Sequence, residues 1–197
     1  MGWPTGFVAA VVAHERLAPW PGGVDRRELT HRYTDRALRC RGEGTPLSVA
    51  ADKLGATAMR CALLQHRWAM EVWQQPAPRD GSGRLVEVYP AAALRAWGMD
   101  PKGYKGGSGD RAAAGRSIRR HIVNQIAAAV GRWLDIGPVE ARCVESDHVL
   151  DGLVSALVAV AAKTDATEPA GDDETDIALV EGWIHLPTAS LSVLEPS

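Results

Sequence analysis

The chain lacks most of the patterns that announce a function directly. It has three cysteines, Cys40, Cys61 and Cys143, an odd number set far apart and outside any C-x-x-C pair. That argues against a disulfide framework or a structural zinc site and for buried or free thiols in a reducing cytoplasm. No stretch approaches the ~20 apolar residues that cross a bilayer, so no membrane partner is expected. The apolar run FVAAVVA (7–13) has no basic residues before it and ends at His14, Glu15 and Arg16, unlike a secretion signal. The phosphate-cradling pattern GxxxxGK[ST] is absent, and there is no internal repeat. The histidines are scattered, and no Ser–His–Asp or Cys–His arrangement emerges from their spacing.

What remains is a globular composition. The 197 residues are 46% apolar and 23% charged, enough for one ordinary domain with a substantial core. The net charge of −2 hides an uneven distribution: residues 1–94 carry +3, residues 95–132 carry +6 and residues 133–197 carry −11. A basic middle beside an acidic tail suits a phosphate-facing groove next to a carboxylate site. Much of the acidity, however, sits in TDATEPAGDDETD (164–176), which has the composition of a solvated, flexible loop.

The periodicities predict a helix from about Thr5 to Leu17, and a charged helix or extended segment over 25–40. A long helical segment follows the turn at Pro46, capped by Thr45 or Ser48 and ended by QQPAPRDGSG. RLVEVYP (84–90) reads as a strand stopped by Pro90, leading into the helix AAALRAWG with Gly98 as its C-cap. The glycine-rich loop DPKGYKGGSGD precedes a helix over roughly 111–134, with Ile118, Ile122, Ile126, Val130 and Trp133 on its core face. A further helix begins near 145, and DIALVEGWIHLP (176–187) is a second strand candidate. Two strands among five or six helices are fewer than an α/β layer needs.

The stretch ESDHVLDGLVSALV (145–158) carries the sharpest chemical signal. Asp147 and Asp151 are four apart and His148 and Asp151 three apart, so all three converge on the first turn of an otherwise apolar helix. Oxygen ligands there suit a hard cation such as Mg²⁺ or Mn²⁺; equally, Asp147 fits an ordinary cap or first-turn acid. Glu87, between Val86 and Val88, reads either as a second carboxylate at a strand end or as a solvated edge charge. Lys105, among glycines, can approach a phosphate or belong to a mobile turn. Arg116, Arg119 and Arg120 lie near one another on the 111–134 helix.

Six stretches in order, GWPTGFVAAV, THRYTDRAL, TPLSVAADKLGATAMR, VEVYPAAALRAWG with GYKG, SDHVLDGLVSALVA and EGWIHLP, resemble the bacterial domain of unknown function 429 family, described as predicted RNase H-like nucleases. The likeness runs from Trp3 to Pro187. It implies an α/β, RNase H-like, helix-rich fold in which the N-terminal part of the mixed central sheet is missing, because the family's first strands and their acidic residues would precede Gly2-Trp3-Pro4. Residues 1–187 then form a single partial domain, with 188–197 a C-terminal tail.

The resemblance further implies Mg²⁺- or Mn²⁺-dependent phosphodiester hydrolysis by an N-terminally complete chain, acting on DNA or RNA. Asp151, His148 and Asp147 would be catalytic, with His148 and Asp151 matching an H/D-x-x-D helix motif and Asp147 adjacent. Asp151, Asp147 and Glu87 would hold metal, and Lys105, Arg119 and Arg120 would meet substrate. The alternative is a catalytically incomplete nucleic-acid- or protein-binding remnant.

Overall fold

A computed structural model of the chain describes residues 3–9, 30–44, 46 and 56–194. The helix expected over 5–17 is described to Ala9, where residues 5–9 are helical; its remainder and the caps Thr45 and Ser48 lie outside the described residues. The described helices are α1 (Tyr33–Cys40), α2 (Ala56–Trp68), α3 (Pro90–Ala96), α4 (Asp110–Val130), α5 (Gly137–Glu145), α6 (Asp147–Lys163) and α7 (Thr175–Glu181). Among them no helix is long and apolar enough to cross a membrane.

Local chemistry explains most of the boundaries. Pro90 opens α3, where a missing N–H costs nothing. Gly98 closes it at φ +76°, with Gly98 N–H donating to Arg95 O (2.8 Å) and Met99 N–H to Leu94 O (2.9 Å), the paired bonds of a Schellman cap. α2 runs into a π-helical turn, Ala69–Trp73, and stops where Gln74 turns left-handed (φ 57°) ahead of Pro76 and Pro78. Along α4, Ile122, Ile126 and Val130 are fully buried and Ile118 and Trp133 pack beside them, the expected core face. The helix α5 was not foreseen. Its signals are modest: Pro138 in the first turn and a glutamate, Glu140, beside it.

The expected sheet is not there. Among the described residues no strand forms, only two isolated bridges, Glu87 with Ile184 (parallel) and Thr167 with Pro187 (antiparallel). The α/β, RNase H-like reading is therefore corrected to a helix-rich fold. Within RLVEVYP, Arg84 lies in a bend, Glu87 alone makes a bridge and Pro90 already belongs to α3; alternation prepares a segment for a ladder without supplying a neighbour. In DIALVEGWIHLP the first half is helical as α7, with Asp176 in its first turn; Gly182 (φ +96°) ends it, and 183–187 hold only the isolated bridge residues Ile184 and Pro187.

The chain divides into two units, Met1–Glu87 with Pro169–Ile184, and Val88–Glu168 with His185–Ser197. In the second unit α5 packs between α4 and α6, α3 packs on α6, and a 3₁₀ turn at Leu191–Val193 packs on α4. Its core joins Leu94, Ile122, Ile126, Leu150, Val154, Leu157 and Val158. Residues 185–188 close over it through Glu168 N–H to Leu186 O and Thr188 N–H to Ala166 O, both 2.9 Å. All three cysteines are free thiols; Cys143 is buried in this core, and burial pushes its pKa up. In the first unit α1 packs on α7, and much of what is buried is polar: Arg32, Thr34, Asp35 and Glu181 beside Leu38, Ala178, Trp183 and Ile184.

Leu150 is fully buried in the apolar part of α6. Leu150→Ala should cost about 2–5 kcal/mol, lost transfer energy plus a residual cavity. Urea titration should show a lower midpoint at unchanged slope.

Candidate functional site

The acidic head of α6 is occupied by the protein's own loop. Ser146 caps the helix, accepting from Val149 N–H (3.4 Å), and Asp147 follows in the first turn, where the helix dipole favours an acid. Asp147 Oδ2 accepts from Gly106 N–H at 3.0 Å. Asp151 Oδ1 accepts from the Tyr104 hydroxyl at 2.6 Å, and Asp151 Oδ2 pairs with Lys105 Nζ at 2.8 Å. Three consecutive residues of the glycine-rich loop are thus tied to two carboxylates one helical turn apart. His148 is exposed, and its backbone N–H donates to Asp147 Oδ1 (3.1 Å). Burial, then the bond to Asp151 and that carboxylate's charge, hold the Tyr104 hydroxyl well above the ordinary tyrosine pKa.

Arg119 supports the loop from below. It is 5% exposed, and its guanidinium donates to three carbonyls: Val144 O (2.7 Å), Tyr104 O (2.6 Å) and Glu145 O (3.4 Å). Two of these lie in the last turn of α5, where unpaired carbonyls and the negative end of the dipole accumulate. Arg119 therefore binds backbone. Arg120, one residue and about 100° further round the helix, is exposed, as is Arg116.

Glu87 belongs to the first unit and is engaged by Arg32. The Arg32 guanidinium, 2% exposed, pairs with both Glu87 oxygens at 2.7 Å. It also donates to both Asp35 oxygens (2.9 and 3.1 Å) and to Glu181 O (3.3 Å). Every guanidinium N–H has an acceptor. Asp35, at the third position of α1, also accepts from Arg32 N–H (2.9 Å), half of a capping box. Burial works against the Arg32 charge, but the Glu87 and Asp35 contacts outweigh it and its pKa rises. The Glu181 carboxylate, 3% exposed, accepts the first N–H groups of two helical segments, at Thr5 and Tyr33, and the Thr5 hydroxyl. Neither Arg32 nor Glu181 was singled out from sequence, where each is one charge among many.

These placements overturn the nuclease reading. Among the described residues no group of three His, Cys, Asp or Glu side chains stands where it could hold a metal ion, and no sheet presents carboxylates to a substrate. Both Asp151 oxygens are taken by Tyr104 and Lys105, so a divalent cation there would have to displace a lysine. The expectation of a magnesium-dependent RNase H-like hydrolase is corrected accordingly.

A different surface has the character of a site. On α2 and its π turn, Leu63 (67% exposed), Met70 (63%) and Val72 (62%) face solvent, with Leu64 and Trp68 at 40% each. No described side chain of residues 57–73 is buried. At about 100° per residue, Leu63, Leu64, Arg67, Trp68, Met70 and Glu71 share one broad face. The π turn stacks residues five apart, setting Trp73 against Trp68 (ring centroids 5.6 Å) and Val72 below Arg67. Arg67 Nε and Glu71 Oε1 lie 3.6 Å apart on that face. The apolar spacing was visible in the sequence, but periodicity does not distinguish a face that packs inside a domain from one left outside it.

Residues 1–176 match the model of a family described as "Protein of unknown function (DUF429)". No curated protein and no solved structure matches the chain.

Glu87→Ala takes one of two carboxylate partners from the buried Arg32, which keeps Asp35, and should cost about 1–3 kcal/mol for the guanidinium N–H groups left without an acceptor, measured by equilibrium unfolding. Tyr104 makes stability pH-dependent at the alkaline end. Its folded pKa is raised, so its contribution is complete below ~pH 10, where the unfolded tyrosine is still protonated, and is lost as pH rises through the folded pKa. Between ~pH 10 and 11, Tyr104→Phe should flatten the fall in stability by up to ~1.4 kcal/mol per pH unit.

Proposed function

The chain belongs to the DUF429 family, and on that footing we propose that it is a non-catalytic protein-binding module whose docking surface is the exposed face of α2. The observation that carries this reading is the clustering of Leu63, Leu64, Trp68, Met70 and Val72 on one solvent-facing helix. Scattered surface leucines are ordinary, whereas large apolar side chains grouped along both flanks of one helix face favour an interaction site. Trp and Met are also side chains enriched in protein interfaces.

The basic segment supports nucleic acid less well. Of the three side chains expected to meet phosphate, Arg119 is committed to backbone carbonyls and Lys105 to Asp151. The second unit as a whole carries ten basic and ten acidic residues, so it has no net charge to draw a polyanion.

A photo-crosslinking side chain at Leu63 or Met70, in the full chain expressed in its host, tests the reading against one at Ala128, exposed on α4 of the other unit. A discrete protease-sensitive adduct from the α2 positions and none from Ala128 is the expected result. An adduct shortened by nuclease, or no adduct at either α2 position, overturns it.

A further inference from the structure

The charges within the α2 face restrict what can sit on it. Arg67 and Glu71 are 67% and 61% exposed and lie along the middle of the face, flanked by Leu63 and Met70 on one side and Leu64 and Trp68 on the other. An apolar groove offered by an unrelated protein would strand both charges under the contact. A surface that accepts them must present an acid opposite Arg67 and a base opposite Glu71, four positions apart and in reversed order.

The same helix, turned end for end, has that pattern. A twofold axis level with Ala69 sets Arg67 of one copy opposite Glu71 of the other, and the reverse, while Trp68 meets its own counterpart on one side of the seam and Met70 its own on the other. Such an isologous contact is closed and self-complementary. A parallel pairing instead sets arginine on arginine and glutamate on glutamate, so the charge order selects the antiparallel arrangement.

Building on the protein-binding reading above, we infer that the partner of the α2 face is a second copy of this chain, docked antiparallel through Arg67–Glu71 exchange. The 18 residues from Ala56 to Trp73 span about 27 Å at a helical rise. One helix of that length covers less than the ~800 Å² per partner of a standard interface. The dimer is therefore a weak, reversible one, populated in the range of about 10–100 µM.

Sedimentation equilibrium of the full chain tests this with two charge reversals, Arg67→Glu and Glu71→Arg. Wild type should show a concentration-dependent monomer–dimer equilibrium. Each variant alone places like charges across the axis and should dimerise at least tenfold more weakly. An equimolar mixture of the two should regain a dimer containing one copy of each, because the acidic helix then meets the basic one. Recovery on mixing cannot arise from misfolded variants. Wild type that stays monomeric at 100 µM, or a mixture no more associated than its components, overturns the inference. If the α2 photo-adduct then contains a different protein, the binding reading stands and only self-association has failed; if there is no adduct, both have.

Discussion

A guanidinium taken out of water has five N–H bonds to satisfy and a charge to balance, and each unit of this protein is arranged around one that meets those demands differently. In the first unit Arg32 is met by two carboxylates and a carbonyl. Those acceptors come from the start of α1, from Glu87 and from the end of α7, so satisfying one side chain draws together segments remote in sequence. Gly182 shows how closely they are drawn. A Cβ there would lie 3.2 Å from Arg32 Nη1 and 3.3 Å from Glu87 Oε2, and its φ of +96° suits glycine alone. In the second unit Arg119 takes carbonyls only, from the end of α5 and from Tyr104 in the loop. It does for helix and loop backbone what Arg32 does for carboxylates.

The acids follow from the same constraint. Asp147 and Asp151 stand where an apolar helix emerges and need donors; the loop Tyr104–Gly106 needs acceptors because glycines leave it few side chains with which to anchor itself. Each satisfies the other. Glu181 likewise receives the leading N–H groups of two helical segments. Carboxylates that resemble a metal cage in the sequence are, in the folded chain, the acceptors its own backbone and bases require.

The buried charges Arg32, Asp35, Arg119 and Glu181 are matched in this way, whereas on α2 it is apolar side chains that the described protein leaves unmatched. The face of α2 leaves large side chains in water, with the Arg67–Glu71 pair along its middle and exposed Arg60 on the same side two turns earlier. The π turn matters because it brings Val72 and Trp73 round beneath Arg67 and Trp68, extending the face past the point where an α-helix would have turned it away.

The sequence alone determined those helices whose capping, proline placement and apolar spacing are locally distinct, though not α5 or α7: Gly98 ends α3, the Ile122–Val130 face is core, and the 145–158 stretch is a helix with an acidic head. Membership of the family was legible as well, and the first five of the six stretches lie within residues 1–176 that match its model. Tertiary structure decided the rest. Whether RLVEVYP joins a ladder depends on a neighbour that is not in RLVEVYP, and here its one bridge is Glu87 to Ile184, 97 residues away. Whether Asp151 binds a cation or a lysine depends on which loop folds over it, and whether Arg119 meets substrate or carbonyl depends on 100° of helix rotation. Spacing along the chain says which groups can share a face; only packing says what stands opposite them.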